Sequence, residues 1–68
     1  MSDIEQARDE LRRLNIRTMP VAVAMAIQDE LPEQWRILVY KYGQTRVFQL
    51  IANGFDLKEA VRILTGRA

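Results

Sequence analysis

The sequence has 68 residues and a formal net charge of +1, because ten Lys and Arg are nearly balanced by nine Asp and Glu. This balance argues against a protein that binds nucleic acid through charge alone, because such proteins typically have a large basic excess. The chain contains no Cys and no His, which excludes disulfide bonds and the usual zinc ligand sets. A chain of this length is near the lower limit for independent folding, so we expect a second subunit or a partner to add stability.

The side chains that most often perform catalysis are also missing from the sequence. Without His or Cys there is no histidine general acid and no thiol nucleophile, and Ser2 is the one serine. The three Gly stand singly, so there is no Gly-rich phosphate loop. We therefore expect a protein that is not an enzyme and has no metal, cofactor or small-molecule substrate. The longest apolar run, residues 21–27, is too short to cross a bilayer, which favours a cytoplasmic protein without membrane contact.

The segment SDIEQARDELRRLNI predicts the first helix. Ser2 and Glu5 have the spacing of a capping box at its N-terminus. A narrow apolar seam with helical spacing is formed by Ile4, Ala7, Leu11 and Leu14. The cations toward its C-terminus are Arg12, Arg13 and Arg17. Because cations at this end complement the helix dipole, we expect these side chains to lie on a solvated face of the helix.

A second helix is predicted over about residues 19–31, with Thr18 as its N-cap. The alternation of bulky and small side chains in residues 21–27 would also suit a strand, although the helix preference of Ala favours a helix. The helix is apolar on every side from Met19 to Ile27, and such a helix must be covered all round. We therefore expect a homodimer or a bound protein partner. The predicted dimer or partner interface comprises Val21, Val23, Met25, Ile27 and Trp35.

Three more helices are predicted in the second half of the chain. The third begins after Pro32 and ends at Gly43, and its apolar face comprises Trp35, Leu38, Val39 and Tyr42. The fourth begins at Thr45 and ends at Gly54, for which we predict a positive φ. Its inward residues are Val47, Leu50 and Ile51, and its outward residues are Arg46, Gln49 and Asn53. A β-hairpin within residues 36–51 stays open as an alternative, because this segment is rich in β-branched and aromatic residues.

The fifth helix is marked by Asp56 and Glu59, which have the spacing of a second capping box. Its predicted buried stripe comprises Leu57, Ala60, Val61 and Leu64. The sequence therefore predicts an all-α protein, a small bundle of about five short helices with a helix-turn-helix-like corner at the C-terminal end. Residues 1–68 are expected to form a single helical domain.

The corner of the last two helices resembles the start of the DNA-binding domain of LuxR-type regulators, in which a VLxLIAxG helix precedes a helix with KEIA. Here the corresponding segments are VFQLIANG and KEAV, and the shared residues are Leu50, Ile51, Ala52, Gly54, Lys58 and Glu59. The preceding segment LPEQWRILVYKYG resembles a helix of sigma-factor region 4. The resemblance implies a helix-turn-helix, but the groove-reading helix of those families would follow Ala68, so none of their DNA contacts is carried over.

Two functional hypotheses follow from these patterns. The first is a dimeric transcription regulator that binds double-stranded DNA through the helix-turn-helix corner. Its expected DNA-binding residues are Arg46, Gln49, Asn53, Lys58, Arg62 and Arg67, since Arg can bind guanine and Gln or Asn can bind adenine. The alternative is a protein–protein interaction module or adaptor that docks a partner through an apolar helix and binds no nucleic acid.

Overall fold

The computed structural model describes residues 3–66, which form five α-helices and one short 3₁₀ helix. The α-helices are α1 (Asp3–Arg13), α2 (Val21–Glu30), α3 (Glu33–Tyr42), α4 (Gln44–Ala52) and α5 (Leu57–Thr65). The 3₁₀ helix, Ile16–Thr18, connects α1 to α2. The described residues contain no strand, which confirms the all-α prediction and excludes the strand alternatives for residues 21–27 and 36–51. Ser2 of the predicted capping box lies outside the described residues.

Helix α4 lies at the centre of the bundle. It packs against α1, α3 and the 3₁₀ helix, while α5 packs against α3. Val47, Phe48 and Ile51 of α4 are at most 1% exposed and form the middle of the core. The predicted inward face of this helix is thus confirmed, and Phe48 widens it. Because α4 occupies the centre, α2 is left at the edge of the bundle.

Helix α2 packs on α1 and α3 through Ala24, Ile27 and Gln28. The amide of Gln28 is buried, and its Oε1 accepts a 2.7 Å hydrogen bond from Nε2 of Gln44 in α4. The predicted N-cap was wrong, because Thr18 belongs to the 3₁₀ helix. That helix starts where the side chain of Asn15 accepts a hydrogen bond from the backbone N–H of Arg17.

Two glycines with positive φ shape the turns on either side of α4. Gly43, with φ 100° and ψ 145°, ends α3 and immediately precedes α4. Gly54 has φ 89°, as predicted, and its N–H donates to the carbonyl of Ile51 at 3.0 Å. The N–H of Phe55 donates to the carbonyl of Leu50 at 3.2 Å, which completes a Schellman motif. Asp56 is the N-cap of α5, and its carboxylate accepts the predicted capping bond at 2.8 Å from the N–H of Glu59.

Two arginines of α1 hold the C-terminal end of α4. Nε of Arg8 donates to the carbonyl of Ile51 at 3.2 Å, and Nε of Arg12 donates to the carbonyl of Ala52 at 2.8 Å. These carbonyls belong to the last turn of α4, which has no basic residue of its own. The guanidinium groups therefore complement the negative end of α4 and join α1 to the corner. Arg12 is exposed, as predicted, but its hydrogen bond serves the C-terminus of α4 instead of its own helix.

Candidate interaction surfaces

The most exposed apolar surface of α2 is an arc that we call the α2 face, made of Val21, Ala22, Val23, Met25 and Ala26. The exposed fractions are 79% for Val21, 44% for Met25 and 37% for Val23. At about 100° of rotation per residue, the five positions span roughly 200° of the helix circumference. About half of the circumference of the apolar segment, residues 21–27, therefore faces water in the single chain.

Two residues of the predicted interface do not belong to this surface. Ile27 is 3% exposed and Trp35 is 4% exposed, and both are part of the core. Trp35 was wrongly assigned to the interface because it is buried, and Ile27 offers a partner only the small surface that lines a groove between α1 and α2. Val21, Val23 and Met25 remain accessible, and the structure adds Ala22 and Ala26. The sequence could not single out these alanines, since residues 21–27 are all apolar and offer no polar side to orient the helix.

The ends of α2 carry unbalanced charge. Pro20 is the N-cap and offers no side-chain hydrogen bond, and the first turn contains no acidic residue. At the other end, Asp29 and Glu30 are exposed and no basic residue is present in the last turn. Carboxylates are favourable at the positive N-terminus of a helix and unfavourable at its negative C-terminus. Both ends of α2 would consequently gain from charges supplied by another molecule.

The α2 face continues into an open groove between α1 and α2. Leu14, which is 39% exposed, lies at one end of this groove. One part has a volume of about 410 Å³ and is lined by Glu10, Arg13, Leu14 and Val23. The adjoining part, of about 400 Å³, is lined by Gln6, Ala7, Glu10, Ile27 and Glu30. The groove is therefore apolar near Val23 and acidic near Glu30.

A second apolar surface lies between α3 and α5, where Ile37 is 48% exposed and Val61 is 39% exposed. The groove there has a volume of about 270 Å³ and is lined by Gln34, Ile37, Leu38, Leu57 and Val61. Val61 was predicted to be buried, which is incorrect. It lies on the flank of the α5 stripe beside this open groove, while Ala60 and Leu64 occupy the buried centre.

The predicted DNA-binding residues fall into two groups. Arg46 and Gln49 of α4 and its C-cap Asn53 are exposed, and they line one shallow groove of about 130 Å³ together with residues of α5, among them Ile63. Lys58 and Arg62 are also exposed, but on α5 they lie roughly 100° to 140° around the helix from Ile63. The structure therefore unites the α4 residues and turns the two α5 cations away from them. Arg67 lies outside the described residues.

Residues 3–66 contain no group of three or more acidic side chains placed to hold a metal ion. None of the helices in this part of the chain has the length and apolarity needed to cross a membrane.

The chain matches no protein-family model, and neither a curated protein nor a solved structure shows significant similarity to it.

Proposed function

We propose that the chain is a small helical interaction module that docks another polypeptide on the α2 face. The observation that carries this proposal is the exposure of Val21 and Met25 on a helix whose first seven residues are all apolar. Removing apolar surface from water is favourable by roughly 25 cal/mol per Å². A partner that covers the α2 face would therefore recover free energy that the single chain does not gain by folding.

The chemistry around the α2 face favours a protein over a lipid surface. Helices that lie on membranes combine an apolar face with Lys and Arg, which attract anionic headgroups. The polar residues that border the α2 face at its C-terminal end are Asp29 and Glu30, which such headgroups repel. A helix laid against an apolar helix face is a recurrent mode of protein recognition. An apolar helix is thus the occupant that best fits this surface.

DNA binding through the corner of α4 and α5 is the second candidate function, as part of transcription regulation. It is favoured by the common groove of Arg46, Gln49 and Asn53, side chains that can donate to base edges. It ranks second because a duplex lying on this groove would not meet Lys58 and Arg62 at the same time. The candidate basic side chains among the described residues thus offer no single surface that combines contacts to base edges with a line of phosphate contacts.

Site-specific photo-crosslinking tests the interaction function. A photoreactive amino acid is placed at Val21 in the full chain, expressed in its native cells, and a matched variant carries it at Lys58, which is exposed on α5. We expect polypeptide adducts at position 21 and none at position 58. Adding Met25→Lys to the first variant should abolish the adduct, because a charge would be buried in the contact. Absence of any polypeptide adduct at position 21, or equal yields at both positions, would contradict the proposal.

A further inference from the structure

The charge pattern and side-chain sizes of α2 match those of a second α2 helix running in the opposite direction. We propose that the polypeptide docked on the α2 face is a second copy of this chain, with the two α2 helices packed antiparallel about a two-fold axis. This inference rests on the interaction function proposed above. It adds the identity of the occupant and its orientation.

The side chains along the middle of the α2 face are small enough for a second helix to pack closely against it. Ala22, Ala26 and Asp29 follow one line along the helix, with the spacing i, i+4 and i+7. The two alanines are exposed and have small side chains, so a second helix can approach closely. Val21 and Met25 lie on one side of this line and can pack between side chains of the other helix. A self-complementary contact of this kind closes on itself and forms a dimer without further growth.

Charge then selects the antiparallel direction. In a pair centred between Met25 and Ala26, Asp29 of each chain lies opposite Ala22 of the other, in the first turn of the helix. That turn has no side-chain cap and no acidic residue, so its free N–H groups can receive the carboxylate. The exposed Arg17, in the 3₁₀ helix before α2, adds positive charge at the same end. The contact occurs twice by symmetry, whereas a parallel pair would bring the acidic ends together.

A foreign helix could cover the apolar residues equally well, but it would have to supply a carboxylate at the right distance from its apolar contacts. The second copy already has this spacing, because α2 is ten residues long and its acids stand at the end opposite its uncapped N-terminus. Each copy thus provides what the other lacks at both ends. This reciprocity is the reason to assign the face to a second copy.

The test measures the dimer and its direction. Sedimentation equilibrium of the wild-type chain from micromolar to millimolar concentration should show a monomer–dimer equilibrium. Asp29→Lys should weaken dimerisation at least about tenfold, because two favourable end contacts become repulsive. Asp9→Lys, a matched change at an exposed helical Asp on α1, should leave the dimer dissociation constant unchanged.

Disulfide trapping reports the direction, since the chain contains no Cys of its own. Ala26→Cys places its two thiols next to the proposed two-fold axis and should form a covalent dimer on oxidation. Ala22→Cys places the two thiols about 10 Å apart along the helices, which exceeds the reach of a disulfide. Preferential linking through position 22 would overturn the antiparallel arrangement, as would equal weakening by Asp29→Lys and Asp9→Lys.

The failure of self-pairing can be distinguished from the failure of the interaction function. A wild-type chain that stays monomeric at millimolar concentration overturns the inference. If position 21 then still crosslinks to a different polypeptide, the α2 face has another occupant and the interaction function stands. If position 21 gives no polypeptide adduct at all, both are overturned.

Discussion

Replacement of Gly43 by Ala should destabilise the protein through the backbone alone. Gly43 joins α3 to α4 at φ 100° and ψ 145°, close to a region of backbone space that is essentially confined to glycine. A Cβ added at this position would meet no atom within 4 Å, so no clash contributes to the cost. Residues held in such sparsely populated regions cost of order 1–3 kcal/mol each. We therefore expect Gly43→Ala to lower the free energy of unfolding by about 2 kcal/mol.

Thermal denaturation followed by circular dichroism measures this effect. A change of 1 kcal/mol shifts the Tm of a domain this small by about 4–8 °C, so the expected decrease is about 8–16 °C. Gly54→Ala is the matched control, because its Cβ would meet only Arg12 Nη2 at 3.6 Å, an ordinary contact. We expect a loss of only about 1 kcal/mol there. An unchanged or higher Tm for Gly43→Ala would refute the argument that the turn between α3 and α4 requires a backbone conformation at residue 43 that only glycine adopts readily.

Three further predictions concern polar side chains. Arg12→Ala should lower the free energy of unfolding by about 1 kcal/mol in a thermal melt, because an exposed charged hydrogen bond to α4 is lost; unchanged stability would contradict this. Gln44→Ala should lower the free energy of unfolding by about 1–3 kcal/mol, because it leaves the buried amide of Gln28 unpaired. Denaturant titrations of this variant, of Gln28→Met and of the double mutant form the double-mutant cycle that checks this. If the chain binds DNA through the side of α5 that carries Lys58 and Arg62, replacing both with Ala should reduce the salt slope by about one to two in duplex titrations, while binding that is absent in the wild type would rule out the DNA function.

The elements that could be predicted from the sequence are those with a clear contrast between polar and apolar positions. In α3 the spacing of Trp35, Leu38 and Val39 indicated the buried face correctly, and Gly43 marked its end. In α5 the spacing of Asp56 and Glu59 correctly indicated Asp56 as the N-cap. These signals are local, since they depend on residues within one or two helical turns.

The orientation of α2 could not be predicted, because seven successive apolar residues give no preferred side. Packing against α1 and α3 buries Ala24 and Ile27 and leaves Val21 exposed, and only the arrangement of the other helices decides this. The same limit explains why Ile27 was assigned to the interface. The hydrogen bonds of Arg8 and Arg12 to α4 join residues that are 43 and 40 positions apart in the sequence. Local sequence patterns around the two arginines therefore could not predict these bonds.

The candidate DNA surface was predictable only within each helix. Arg46, Gln49 and Asn53 have the spacing i, i+3 and i+7, which correctly placed them on one face of α4. Whether the cations of α5 join that face depends on how α5 rotates against α3. Ile63 flanks the groove beside the α4 residues, and Arg62 consequently points elsewhere.

The most direct measurement of the central claim uses the native side chain of Met25, which is 44% exposed. Its rate of oxidation by peroxide reports how accessible the sulfur is, and Met19, packed against the core, serves as the internal reference. If the α2 face docks a polypeptide, Met25 should oxidise several-fold more slowly in native cell extract or in the purified chain at millimolar concentration than in the dilute purified chain, while the rate at Met19 stays the same. Equal oxidation rates of Met25 in all three samples would contradict the account.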